Sequence, residues 1–389
     1  MNFKYYIPTK ILFGRGQLAN LHKEKLPGTR ALIVTTGGRS VVDNGYLART
    51  EEELKAAGCT FVLFNKITAN PDRREVMDGA ALAKAENCDF IVGLGGGSPI
   101  DAAKAIAVMA TNPGDYWDYM VRGTGGGRPV SVTPLSVVAI TTTAGTGTEA
   151  DPWTVISNAA TGEKFGFGID GTFPVLAVVD PELMLTVPRD YTVFQGFDAL
   201  FHSLEGYLAN IATPISDIFA LKAVSLIAEN LPAAVFDGGD IAARENMALA
   251  NTLSGMVEST SGCISEHALE HILSGVYKNL PHGAGLIMLS VAYFSKIAEK
   301  HTSDDRLVEL AKALGNKNAK TPEDFIAALQ KLQQACGADK LKMSDYGIEK
   351  ERLREFAAAA KTQNALSFRL DPCDLSIADC AEIYERSYR

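Results

Sequence analysis

The chain has 389 residues, room for two or three domains at roughly 100–200 residues each. Its 46 acidic residues against 37 Lys and Arg give a net charge of −9, which argues against a nucleic-acid partner, whose phosphates call for a basic face. A hydrophobic content of 47% and a charged content of 21% exclude a disordered or fibrous chain.

The opening segment, MNFKYYIPTKILFG, carries Pro8 and Gly14 and lacks the apolar region of a signal peptide. No run of 18 apolar residues occurs; the longest stretches, such as 286–294, are about half of a bilayer span. The expectation is a soluble, cytoplasmic protein with no membrane partner. Six scattered cysteines, at 59, 88, 263, 336, 373 and 380, form no CxxC pair, and a chain this long is no disulfide mini-fold.

From residue 31 to 181, short apolar runs alternate with helical patterns. Strands are expected at 31–36, 60–65, 89–95, 137–142 and 176–181, each nearly continuous in apolar residues, as a strand buried on both faces should be. Helices are expected between them at 45–57, 72–86 and 101–110. Such alternation makes a parallel sheet with right-handed crossovers, whose ligands lie at the carboxyl ends of the strands.

Past Pro188 the strand signals stop. Helical periodicity then marks 194–209, 216–229, 242–259, 266–275, 283–299, 304–314, 322–336, 350–362 and 377–386. Ser303, Thr321 and Ser376 stand where capping side chains belong. The expected architecture is an α/β domain over 1–185 and an all-helical domain over 186–389, with a cleft between them as the default ligand site.

Four motifs carry chemistry. Gly93-Leu-Gly-Gly-Gly-Ser98-Pro-Ile-Asp101-Ala-Ala-Lys104 follows a strand and opens a helix, so its backbone can approach a phosphate. It lacks strict GxGxxG spacing and is not on the first strand, which excludes a standard Rossmann fingerprint. Thr141-Thr-Thr-Ala-Gly-Thr-Gly-Thr148-Glu149, after the next strand, offers five hydroxyls to a polar ligand; a Thr-rich strand end is the plain alternative. Two such loops at strand ends point to a nucleotide.

Asp198 and His202 are i and i+4 on a helix, with Glu205 three further along the same stripe; alone, this reads as a surface hydrogen-bonded pair. The fourth motif, Glu266-His267-Ala-Leu-Glu-His271 with Pro281-His282-Gly283, changes that balance. Only six His occur, and four of them fall in these two motifs, whereas His22 and His301 lie in polar surroundings and are expected at the surface. One Asp with several imidazoles suits Fe(II), Zn(II), Mn(II) or Co(II) rather than Mg or Ca. Spacing alone leaves open which of His267 and His271 ligates and which carries protons.

In order and separation, GLGGGSPIDAAKAIA, TTAGTGTE, DALFHSLEGY and HALEH…PHG resemble the iron-containing (group III) alcohol dehydrogenases. The likeness runs over almost the whole chain, from IPTKILFGRGQL through ANPDRREVMDG and FPVLAVVDPELM to LSIADCAEIYERSY. It implies a Rossmann-like dinucleotide-binding domain followed by an all-α metal-binding domain, of the dehydroquinate synthase-like type. It implies Asp198, His202, His267 and His282 as metal ligands and His271 as a proton carrier beside the nicotinamide. Gly96, Gly97, Ser98 and Pro99 match the pyrophosphate loop, and Thr142, Thr143 and Thr146 the loop at the nicotinamide and its ribose. Asn70, Lys164 and Leu183 match further cofactor contacts.

Two departures stand out. His282 follows His267 by fifteen positions, one more than the family's usual spacing, the extra residue falling in 275–280. The turn after the second family strand, Gly37-Gly38-Arg39-Ser40, has no acid to bind a ribose 2′-OH. Backbone N–H groups at Gly38, the Ser40 hydroxyl and a guanidinium could accept a 2′-phosphate instead, so NADP is expected over NAD.

The resulting expectation is an Fe(II) enzyme, with Zn(II) as the other ion its ligands allow. It would transfer hydride between a primary alcohol or aldehyde and NADP(H), as a homodimer on base rate. A glycerol dehydrogenase-like polyol enzyme and dehydroquinate synthase share the architecture but usually lack AspxxxHis on one helix. A metal-dependent hydrolase would leave both Gly/Thr loops unexplained.

Overall fold

The computed structural model describes residues 2–389 and separates into two compact units, Tyr6–Thr186 and Val187–Arg389, the latter with the residues up to Tyr5. In the first unit, β1 (Lys10–Phe13), β2 (Arg30–Thr36), β3 (Thr60–Ile67), β4 (Phe90–Gly95), β5 (Ser136–Thr141) and β8 (Leu176–Val179) form one parallel sheet in the order β1-β8-β5-β4-β2-β3. A separate antiparallel hairpin pairs β6 (Thr154–Asn158) with β7 (Glu163–Phe167). The helices are α1 (Ser40–Asp43), α2 (Tyr46–Ala56), α3 (Arg73–Ala85) and α4 (Gly97–Thr111).

Strand alternation sorts apolar side chains onto both faces of the sheet. Leu32, Val34 and Ile91 enter one core with α3 and α4 residues such as Val76 and Ile106. Ala31, Ile33, Phe90, Val92 and Leu94 enter the other, with Leu47 and Leu54 of α2. Full burial of a Val, Leu, Ile or Phe side chain contributes roughly 1.5–3 kcal/mol relative to exposure, and burial on both faces is why these strands read as continuous apolar runs. Because β3 lies on one side of β2 and β4 on the other, the winding reverses between β2 and β4. Ligands of such sheets gather at that point, outside the strand ends.

The second unit is helical: α5 (Arg189–Leu208), α6 (Pro214–Phe236), α7 (Ile241–Ser261), α8 (Ser265–Val276), α9 (His282–Glu299), α10 (Asp304–Ala313), α11 (Pro322–Cys336), α12 (Leu353–Gln363), α13 (Ala365–Leu370) and α14 (Ile377–Ser387). By length and composition alone α6 could cross a bilayer, but it carries Pro232, Asp217, Lys222 and Glu229 and packs against α5 and α7.

Several expectations shift. The helix expected from 101 starts at Gly97, so Gly97, Ser98 and Pro99 are its first turn rather than loop. α5 starts at Arg189, five residues before the expected 194, and β1, the β6–β7 hairpin, α1 and α13 add to the expected set. Ser376 caps α14 by accepting from Asp379 N, whereas Ser303 makes no side-chain cap. His301 is exposed, while His22 is half-buried and its Nδ1 lies 2.7 Å from Glu53 Oε2.

Candidate active site

Asp198, His202 and Glu205 share one stripe of α5, and α8 presents Glu266, His267, Glu270 and His271. His282 is the first residue of α9, behind the capping Pro281. The long turn between α8 and α9 absorbs the extra residue, with Leu280 N donating to Tyr277 O, and His282 still reaches the cluster. A close helix approach makes this possible: a Cβ on Gly283 would stand 2.2 Å from Phe194 O, one turn before Asp198 on α5.

Around Asp198 Oδ1, the Nε2 atoms of His202, His267 and His282 all lie at 3.6 Å. These separations exceed hydrogen-bond reach. Asp198 Oδ1 and His267 Nε2 are buried without a hydrogen-bond partner, an arrangement that costs free energy unless something charged sits among them. A spacing of 3.6 Å is also what four donors leave between neighbours when each is about 2.2 Å from a central first-row divalent ion. The residues present therefore fit such an ion.

The far side of two imidazoles is anchored. His267 Nδ1 is bonded to Glu205 Oε1 and His282 Nδ1 to Glu270 Oε2, and both carboxyls are fully buried. Ionised carboxylates only accept, so each Nδ1 carries the hydrogen and each Nε2 keeps its lone pair for the centre. Glu205 is itself fixed by Ile264 N at 2.7 Å, and Glu270 by Ser274 Oγ at 3.2 Å.

Charge balance agrees. Burial pushes the Asp198 carboxyl up, yet His202, His267 and His282 bring it well below the carboxylate range. Burial lowers the His267 imidazole, but Cys263, Glu205 and Asp198 hold its protonation well above the ordinary range. Glu266, fully buried beside Glu205 with neither oxygen partnered, is pushed well up by burial and by Glu205. So acidic a pocket requires positive charge, as protons or as a cation. His271, half-buried, lies with its ring 5.2 Å from that of His282 and groups with Glu270 and His282.

In the α/β unit the expected cofactor residues cluster at strand ends. Gly38 follows β2 and Ser40 begins α1, while the exposed Arg39 guanidinium is tied to Asp43, at 3.0 Å from Nη2. Asn70 follows β3 with φ 55. Gly96, Gly97, Ser98 and Pro99 join β4 to α4, whose N-terminus has no side-chain cap and so leaves N–H groups available. Thr142, Thr143 and Thr146 lie against that turn, and a Cβ on Gly97 would meet Thr146 Cγ2 at 2.6 Å. Lys164 is buried on β7, and its charge reaches Asp101 near the start of α4. Leu183 is buried in the core with Leu18 and Val178, so its side chain is committed to packing.

One buried network fastens these parts together. Lys104 Nζ on α4 donates to Thr148 Oγ1 at 2.6 Å, Asp151 O at 2.8 Å, Asp151 Oδ1 at 3.0 Å and Trp153 O at 2.9 Å. Thr148 Oγ1 in turn donates to Asp101 Oδ1 at 2.6 Å, and Asp101 Oδ2 accepts from Val155 N of β6 at 2.9 Å. Asp101 and Lys104 thus brace the glycine turn, the threonine loop and the hairpin.

Glu205 lies on the stripe that the sequence marks, whereas the bond of Glu270 to His282 has no counterpart among the expected roles. A carboxylate at i+3 within HALEH was the available signal for Glu270.

Known proteins share this arrangement of parts. The family model "Iron-containing alcohol dehydrogenase" matches residues 8–181, and that for the C-terminal part of the Fe-containing alcohol dehydrogenase family matches 192–388. A 1,3-propanediol dehydrogenase of Klebsiella pneumoniae is 33% identical over 376 residues, 94% of each chain. An NAD-dependent methanol dehydrogenase of Bacillus methanolicus is 35% identical over 365 residues, 92% of each. The crystal structure of an archaeal halo-thermophilic alcohol dehydrogenase from a Red Sea brine pool superposes with a TM-score of 0.94 at 33% identity, covering 100% of this chain and 99% of that one. The chain belongs to the iron-containing alcohol dehydrogenase family and is an NAD(P)-linked alcohol oxidoreductase.

Proposed function

We propose that Asp198, His202, His267 and His282 hold one divalent ion, Fe(II) by preference, and that the chain interconverts a small primary alcohol and its aldehyde with NADP(H). The observation that carries this reading is the convergence of three Nε2 atoms on one buried carboxylate oxygen. When bound, the ion supplies Lewis acidity toward the substrate oxygen and the nicotinamide supplies the hydride acceptor or donor.

The chain's own residues do the rest. Glu205 and Glu270 fix the tautomers of His267 and His282, so both rings present a lone pair without reorganising. The Gly96–Gly97 turn and the α4 N-terminus receive the pyrophosphate, and Thr142, Thr143 and Thr146 orient the nicotinamide half. Alcohol oxidation releases one proton per hydride. His271, partly open to solvent, takes that proton at a ring nitrogen and returns it in the reverse direction.

NADP(H) is favoured because no carboxylate stands in 37–40 to repel a 2′-phosphate. The second reading, NAD(H), is supported by the pairing of Arg39 with Asp43, which spends its charge, and by relatives named for NAD or NADH. The ratio of kcat/KM for NADPH to that for NADH decides: above one supports NADP(H), below one overturns it. For the centre itself, His267→Ala loses bound metal and activity together, while His271→Ala keeps metal and loses turnover. Full metal and turnover in His267→Ala would sink the ligand assignment.

A further inference from the structure

Cys263 brings a donor that the four-residue set does not use. It lies between α7 and α8, four residues before His267. Its Sγ and one ring nitrogen from each of His202 and His267 lie within 4.8 Å of one another, and among the described residues no other cysteine falls in such a group. The thiol is half-buried and forms no disulfide. His267, which the group shares with the set around Asp198, is 5% exposed, with its Nε2 unpartnered.

Two imidazoles and one thiolate are ligand types that zinc takes, and three protein ligands are what catalytic zinc sites use beside an open fourth position. Soft sulfur favours Zn(II), Co(II) or Cd(II), whereas the carboxylate of Asp198 suits a harder ion. The two sets overlap on His202 and His267, so the ion's preference decides which of Asp198 and Cys263 it draws on more strongly.

Resting on the metal reading above, we propose that Cys263 is an additional, thiolate donor of this centre for thiophilic divalent ions. The metal–sulfur bond forms as the S–H bond breaks and its proton passes to solvent; nothing is oxidised or reduced. The consequence is ion selectivity. A thiophilic ion gains a ligand but loses a coordination position that a substrate oxygen would occupy, so it is bound more tightly and turns over less.

The test loads metal-free full-length protein anaerobically with one equivalent of Co(II), in wild type, Cys263→Ser and Cys263→Ala. Wild type is expected to show visible d–d bands together with a near-ultraviolet sulfur-to-cobalt charge-transfer band, and both variants are expected to keep the first and lose the second. X-ray absorption of the Zn(II) form should show one sulfur at about 2.3 Å in wild type and only nitrogen and oxygen shells in the variants. Absence of the sulfur band from the wild-type spectrum decides even where one variant fails to fold, and two variants are used so that its presence can be assigned. Co(II) bound with d–d bands but without a sulfur signal would overturn the thiolate and leave the metal reading standing. A sulfur signal that survives Cys263→Ser would also overturn it, by assigning the sulfur elsewhere. No d–d bands in wild type would overturn both.

Discussion

At the scale of single residues, the proposed centre depends on side chains beyond its four proposed ligands. Glu205 and Glu270 meet the Nδ1 edges of His267 and His282 and so determine which nitrogen is turned toward Asp198. Glu205→Gln or Glu270→Gln should lower metal affinity about 10–100-fold, read by competition with a chelator, with the helical content unchanged. Unaltered affinity in both would show that the imidazoles orient themselves. Asp371 acts further back, accepting from Ser265 N at 2.9 Å and so holding the start of α8, the helix of His267. Burial pushes its carboxyl up to about 7. A carboxyl raised in the folded state stabilises fully below its unfolded value near pH 4, and that contribution is lost as pH rises through about 7. Wild type should therefore lose up to about 4 kcal/mol relative to Asp371→Asn between pH 4 and 8, measured as unfolding midpoints at each pH. Parallel profiles would contradict this.

At the scale of elements, helix contacts bring the four proposed ligand side chains from three helices to one point. Gly283 lets the first turn of α9 lie flat on α5, with room for no side-chain atom between it and Phe194 O. Gly283→Ala should cost about 1–3 kcal/mol in stability and also weaken metal binding, because His282 moves with that turn. A stability loss with metal affinity intact would separate the glycine from the site. The elements also show what was legible in advance. Strands buried on both faces and amphipathic helices announce themselves by periodicity, and β2, β4, β5 and most helices lie within a few residues of expectation. β1 escaped because four residues at a sheet edge have too little pattern. The hairpin escaped because its turn, Ala159-Ala-Thr-Gly162, lacks a two-residue signal. The first turn of α4 escaped because Gly97 and Pro99 read as loop, although proline is at home in the first turn of a helix.

At the scale of the whole molecule, an α/β unit bears the strand-end loops and a helical unit bears the histidine cluster, and the local signals that mark each were visible in the chain. Concentration was the clearest of them: four of six His fall in two motifs, and the structure gathers those four into one cluster. Less visible were the partners that come from elsewhere in the chain. Glu205 to His267 spans 62 residues, Lys104 to Asp151 spans 47, and Asp371 to Ser265 spans 106, so no local pattern encodes them. The most direct measurement for the central claim is metal removal and return. Protein stripped by a chelator and reloaded anaerobically with Fe(II) is assayed for NAD(P)H-linked reduction of a small aldehyde. Turnover should vanish on stripping and return in proportion to bound ion, levelling at one per chain. Full turnover in the stripped protein would contradict the account.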